Sequence, residues 1–312
     1  MRATSHIRYG APMNILSRDQ QIQVIGALTE GLSIRAIERM TGIHRDTIMR
    51  LGARVGQGCA ELHDRTMVGL RVGRLELDEL WAFVGKKQRH LKRTDSREKG
   101  DQYTFVALAS TSRAIVAYLT GKRDTGTTQE FIADLRERVL GTPEISTDGF
   151  LPYRPAIRSD FGNSHHGVIN KTYSVVHLDK IHQASHRYSP AAVIAVSREA
   201  MQGVPAEIST SYVERSNLSI RMGCRRFARL TNGFSKRLDN HLAAIALYVA
   251  HYNLCRVHES LRTTPAVQLG IMDRVWSLGD LIDAALALVP EGPRVTPPQR
   301  RRQFRVIQGG LT

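Results

Sequence analysis

Leu75–Lys87 reads LELDELWAFVGKK. Apolar and aromatic residues surround a pair of acids and then run into a Gly-Lys-Lys turn, the pattern of a buried strand that ends in a basic hairpin. Asp78 falls in mid-strand, where a carboxylate must be paired with a cation or coordinate a metal to offset desolvation. The plain alternative is an edge-strand acid facing water. Two later segments repeat the pattern, EISTDGF around Asp148 and SYVERSNLSIRMGCRR around Glu214. Three carboxylates, two on strands and one on a helix, form an oxygen donor set that suits a pair of hard divalent cations, Mg²⁺ or Mn²⁺.

Composition points to the partner. The 312 residues carry 44 Lys and Arg against 29 Asp and Glu, a formal net charge of +15. Such a balance favours polyanions through counterion release and steering, so double-stranded DNA is the expected partner. The longest apolar runs fall far short of the roughly 20 residues a membrane-spanning helix needs. MRATSHIRYG lacks the apolar core of a signal peptide, and a cytoplasmic, nucleoid-associated location is expected. Cys59, Cys224 and Cys255 are far apart in sequence and form no CxxC, so zinc is not expected. His165, His166, His182 and His186 follow no recognised ligand pattern.

Along the chain, residues 1–13 read as a flexible leader and 14–56 as a helix-turn-helix domain. Ser33 caps SIRAIERM, Gly42 makes the turn, and HRDTIMRLGARVG opens the recognition helix, with His44, Arg45, Thr47 and Arg50 facing DNA. A protein-binding three-helix module with a solvated basic face is the alternative. Residues 57–73, with several glycines, read as a linker, 74–258 as the catalytic domain, and 259–312 as an extension with a basic tail. Within the catalytic domain the order is strand, strand, strand, helix, strand, with Asp148 ending the fourth strand; an α/β mixed sheet flanked by helices follows. Phe150–Pro205 reads mostly as loops, with one short strand at Tyr173–Leu178. Helix resumes at Ser211, where Glu214, Asn217, Leu218 and Arg221 share a face. Arg225, Arg226 and Arg229 continue a basic stripe, and a long helix spans Phe234–His258 with a packing role. No phosphate-cradling GxxxxGK[ST] or GxGxxG loop occurs, so no nucleotide cofactor is expected.

LELDELWAFVGKK, TDGFLPY and YVERSNLSIRMGCRRFARLTNGFSKRLDNH resemble the three catalytic blocks of bacterial insertion-sequence transposases of the insertion-sequence-one family, over roughly residues 20–265. YNLCRVHESLRTTPA is similar to the closing segment of many integrases and transposases. The resemblance implies an RNase H-like catalytic domain with the triad Asp78, Asp148 and Glu214 holding two Mg²⁺ or Mn²⁺ ions. The implied chemistry is 3′-end cleavage and strand transfer by in-line phosphoryl displacement, without ATP. Asn217 and Arg221 would orient the scissile phosphate, while Lys86, Lys87, Arg225, Arg226, Arg229 and Lys236 hold the flanking backbone. Trp81 and Tyr153 are candidates to stack on a displaced base, with core packing the other role for Trp81. A homo-oligomer on DNA is expected, because two element ends must be joined. Family members carry a Cys-paired zinc finger ahead of the helix-turn-helix, which this N-terminus lacks. Two other readings fit the same residues: a DNA-binding regulator with an inactive catalytic domain, and a metal-dependent nuclease that cuts without joining.

Overall fold

The computed structural model describes residues 16–174, 193–228 and 232–289. The leader, His182, His186, Arg229 and the basic tail lie outside them. Three helices come first: α1 (Arg18–Thr29), α2 (Ile34–Thr41) and α3 (Arg45–Thr66). Ser17 and Ser33 cap the first two through their side chains. Gly42 closes α2 in the left-handed region at φ 69°, and His44 caps α3. Val24, Ile37, Ile43 and Ile48 form the small apolar cluster between them.

The strands are β1 (Leu70–Arg71), β2 (Arg74–Val84), β3 (Gly100–Ala109), β4 (Ile115–Gly121), β5 (Val139–Leu140), β6 (Glu144–Asp148), β7 (His166–Tyr173) and β8 (Val193–Gln202). β1 and β5 form a short parallel pair, and the others make one six-stranded sheet in the order β4-β3-β2-β6-β7-β8. β2 is antiparallel to β3 and parallel to β6, and β6 is parallel to β7. The sheet is therefore mixed, consistent with the RNase H-like expectation.

Helices cover both faces. On one, Leu75 and Leu77 pack with Phe105, Phe131, Leu135 and Ile157 beneath α4 (Thr125–Arg138) and α5 (Tyr153–Asp160). On the other, Leu80, Val106 and Leu108 pack with Val213, Ile220, Tyr248 and Val249 beneath α6 (Ser211–Gly223) and α7 (Leu238–Leu254). The period-two alternation of β2 serves both faces at once. α7 also closes the β4 edge: Asn253 donates to the Ile115 carbonyl at 2.9 Å and accepts from its N–H at 3.0 Å. After a one-turn helix, α8 (Pro265–Gln268), the chain ends its described part with α9 (Leu278–Leu288).

Two expectations change here. Residues 57–66 belong to α3, which continues through Gly56 and Gly58 and packs on α7 and α9 in a cluster that includes Val55, Cys59, Leu247, Leu281 and Ala285. Buried Arg138 fastens the same stretch to α4, reaching Asp64 at 2.6 Å and Asp134 at 2.7 Å. Phe150–Pro205, read as mostly loop, contains α5, β7 and β8. β7 has a buried front half and a half-exposed Asn170 and Lys171, which blurs its apolar pattern.

Candidate active site

β2 outruns β6. Their pairing runs Arg74↔Glu144, Leu75↔Ile145, Glu76↔Ser146, and extending that register by two residues sets Asp78 opposite Asp148, the last residue of β6. Past that point β2 runs on without β6 until Val84 meets Ser235, and carboxylates from both of its faces reach the gap between. One oxygen each from Asp78, Glu79 and Asp148 lie within 4.8 Å of one another. Asp78 comes from the face under α6 and α7; Glu79 comes from the face under α4 and α5.

Each acid is held by a different element. Asn217 on α6 donates to Asp78 Oδ2 at 2.7 Å, and the Phe150 N–H donates to Asp148 Oδ1 at 3.0 Å as the chain turns out of β6. Arg123, in the loop between β4 and α4, donates to Glu79 Oε2 at 3.0 Å, lies 3.6 Å from Asp148 Oδ2 and packs over the Phe150 ring at 3.9 Å. Burial pushes the Asp78 carboxyl up to about 6, with the charges of Asp148 and Glu214 adding to the rise. Burial, then Asp148, pushes Glu79 up to about 7, and Arg123 opposes the rise. Glu214, in the first turn of α6, is half-exposed, accepts from the Thr210 hydroxyl at 2.6 Å and pairs with Lys171 on β7.

The sheet and α6 thus bring Asp78, Asp148 and Asn217 together, with Glu214 at the margin. Glu79, Arg123 and Lys171 were not singled out by sequence spacing. Neighbouring strand residues point to opposite faces, so nothing local marks Glu79 as part of the group. Tyr153 is fully buried beside Glu79 and cannot stack on an exposed base. Trp81 is half-buried and packs near Phe83, which in turn stacks on Phe234.

The expected DNA contacts are scattered. His44, Arg45 and Arg50 are exposed at the start of α3, and Thr47 is half-buried. His44 accepts from the Asp46 N–H and Arg50 donates to the Asp46 carbonyl. Lys87 and Lys236 are exposed on either side of the Gly85–Ser235 contact that docks the Phe234–Lys236 segment on the end of β2. Lys86 instead pairs with Asp95 at 2.8 Å, beside Lys99 at 2.9 Å. Arg225 is exposed, Arg221 is half-buried and Arg226 is drawn inward, its pKa lowered by burial. His166 is also buried, bonded to the Thr147 hydroxyl at 3.0 Å, and burial pushes it down to about 4.

A scan against protein-family models and a search of curated proteins return no match. Among solved structures, the chain is similar to a piggyBac transposase in a synaptic complex with hairpin DNA, determined by cryo-EM. The TM-score is 0.39 and the identity 12%, covering 94% of this chain and 77% of that one. Among the described residues, no helix is long and apolar enough to cross a membrane.

Arg123 provides a first check on the electrostatics. In metal-free protein, Arg123→Gln is expected to steepen the loss of thermal stability between about pH 5 and pH 8, because Glu79 loses the cation that opposes its rise. The side chain is partly solvated, so the change should stay within about 1 kcal/mol. A profile unchanged from wild type would mean the guanidinium does not act on the acids.

Proposed function

We propose that this chain is a DNA transposase of the bacterial insertion-sequence type, acting by metal-dependent cleavage of 3′ ends and their transfer to target DNA. One observation carries the reading: Asp78 and Asp148 face each other on adjacent parallel strands, and the helix that bears Glu214 packs on the Asp78 face. Resemblance of all three blocks to transposase catalytic segments supports it.

The residues fit divalent cations. Carboxylates crowd together although burial disfavours their charge, and Asn217 Oδ1 is a buried oxygen with no hydrogen-bond partner next to Asp78. An all-oxygen donor set of this kind matches Mg²⁺ or Mn²⁺. Asp78, Asp148 and Glu214 would hold the ions, with Glu79 in reach. Bound there, they supply charge neutralisation for an in-line displacement at phosphorus. The protein's own part is orientation: Asn217 fixes Asp78, and Arg221 meets the scissile phosphate. Lys87, Arg225 and Lys236 hold the backbone beside it, and Arg229 extends the same run in sequence. His44, Arg45, Thr47 and Arg50 on α3 read the element ends, with the protein acting as a homo-oligomer that pairs two of them.

The test uses labelled DNA bearing the ends of the protein's own locus, with Mg²⁺ or Mn²⁺ and with EDTA. Cleaved 3′ ends that reappear joined to a second duplex, only with metal, are the expected result. Cutting without joining would make the protein a nuclease, and binding without cutting under any condition would make it a regulator. Arg221→Ala should slow cleavage by about 10-fold to 50-fold while DNA affinity changes little. Equal losses in both would remove Arg221 from the active site.

A further inference from the structure

In the helix that carries Glu214, the Ser211 N–H donates to the Ser209 hydroxyl at 3.3 Å, but the N-cap side chain satisfies none of the later first-turn amides. Thr210 stands at the N-cap position of α6 and makes no side-chain capping bond, so the remaining first-turn N–H groups need partners from elsewhere. They find one on the strand that carries Asp78. Glu76, 0% exposed, accepts from the backbone N–H of Tyr212 at 2.7 Å and of Val213 at 3.0 Å through one carboxylate oxygen. Its other oxygen accepts from the Ser110 hydroxyl at 3.3 Å. The segment leading into α6 is stitched down as well, with the Ser209 N–H donating to Ser146 at 3.2 Å and the Ala206 N–H to Glu144 at 2.9 Å. Arg113 covers the Tyr212 ring at 3.2 Å.

A buried carboxylate in the middle of a sheet is costly unless its oxygens are satisfied. At a helix N-terminus it meets both unpaired donors and the positive end of the dipole. The placement has a geometric consequence. Glu76 shares a face of β2 with Asp78, two residues on, and Val213 immediately precedes Glu214. The Glu76 bridge therefore sets the position of the α6 acid relative to the strand acid.

We infer that Glu76 is a positioning residue: it caps α6 from β2 and so fixes Glu214 and Asn217 against Asp78. This rests on the proposed phosphoryl-transfer site, and it adds to that site a residue that need touch neither metal nor DNA. Removing the bridge should loosen the first turn of α6 and weaken metal binding before it weakens DNA binding.

The experiment compares full-length wild type with Glu76→Gln, which keeps the side-chain shape and loses the charge. Amide exchange in the peptide covering residues 211–214 should accelerate about tenfold or more, as expected when first-turn amides lose a charged acceptor. Mn²⁺ affinity, measured by calorimetry, should fall about tenfold, the usual consequence of losing support behind metal ligands. Cleavage at saturating DNA should slow by about 10-fold to 100-fold while the Kd for end DNA stays within about twofold. Glu76→Asp, which retains the charge with a shorter reach, should recover part of each loss. Unchanged exchange and unchanged cutting would overturn the inference, as would a loss of metal binding, DNA binding and cutting all in proportion to folded protein. If Glu76→Gln does not fold, Glu76→Asp and Ser110→Ala are judged by the same four readouts. Wild-type protein that neither binds Mn²⁺ nor cuts would overturn the transposase reading and this inference with it. Active wild type beside an indistinguishable Glu76→Gln would overturn this inference alone.

Discussion

Asp78→Asn is expected to reduce metal-dependent cutting by about 10³-fold or more, equivalent to about 4 kcal/mol of barrier, and at the same time to stabilise the metal-free protein. Both effects come from one carboxylate. For the proposed chemistry it is a ligand at the centre of the site. For the fold it is a buried charge pushed up to about 6, facing Asp148 and Glu214 and balanced in part by Asn217. Glu79, pushed up to about 7, behaves the same way. Unfolded, these groups ionise near their ordinary values of about 3.9 and 4.3. Between roughly pH 4 and pH 7 the folded protein therefore holds more protons than the unfolded chain, and stability falls as pH rises through that window. The Asp78 share is on the order of 2 kcal/mol. Melting scans in EDTA from about pH 5 to pH 8 should show wild type declining and Asp78→Asn declining less. Added Mn²⁺ should raise the melting temperature of wild type and leave that of the variant nearly unchanged. A variant that melts lower than wild type at every pH would mean Asp78 is held for structure, and the site would have to be sought elsewhere.

The main features of this site were legible because strands and helices write their periods into the sequence. Alternation in LELDELWAFV gives β2, EISTD gives β6 with Asp148 at its end, and the spacing of Glu214, Asn217 and Arg221 gives a helical face. What stayed hidden depends on register between segments far apart in the chain. Glu79 joins Asp78 only because β2 extends past the end of β6, and Glu76 is explained only by the N–H groups of α6, about 136 residues later. The stretch from Phe150 to Pro205 was hard to read for a related reason. α5 is short, with a single turn of buried residues at Tyr153, Ala156 and Ile157, and β8 is exposed along most of its length, including Val193, Ile194 and Val196, so it lacks the burial pattern that identifies a strand. Arg226 and Lys86 counted as basic surface in sequence, yet one is drawn inward and the other is paired with Asp95.

The glycines of α3 make the sharpest contrast, and they yield the second large effect. Gly58→Ala is expected to destabilise the protein by about 3 kcal/mol, and Gly56→Ala by a similar amount. A Cβ at Gly58 would stand 2.0 Å from the Ala285 carbonyl oxygen on α9, and one at Gly56 2.1 Å from the Ala243 carbonyl oxygen on α7. Those are backbone atoms of packed helices and cannot rotate away. In a linker, or on an exposed helix, the same substitution has the opposite sign, because alanine favours helix over glycine by about 1 kcal/mol. Gly126→Ala supplies the internal control: it is exposed in α4, and its added Cβ would meet only Asp124 Oδ1 at 3.7 Å. Thermal unfolding should therefore show Gly126→Ala at or above wild type and both α3 variants several degrees below it. A stabilised Gly58→Ala would mean that the second half of α3 is free of α9 in solution, and that the N-terminal helices move as the separate unit their glycines first suggest. A destabilised one marks α3 as a beam shared by the N-terminal helices, the sheet and α9, so that the start of α3 at His44–Arg50 is held at a fixed distance from the acids at Asp78 and Asp148.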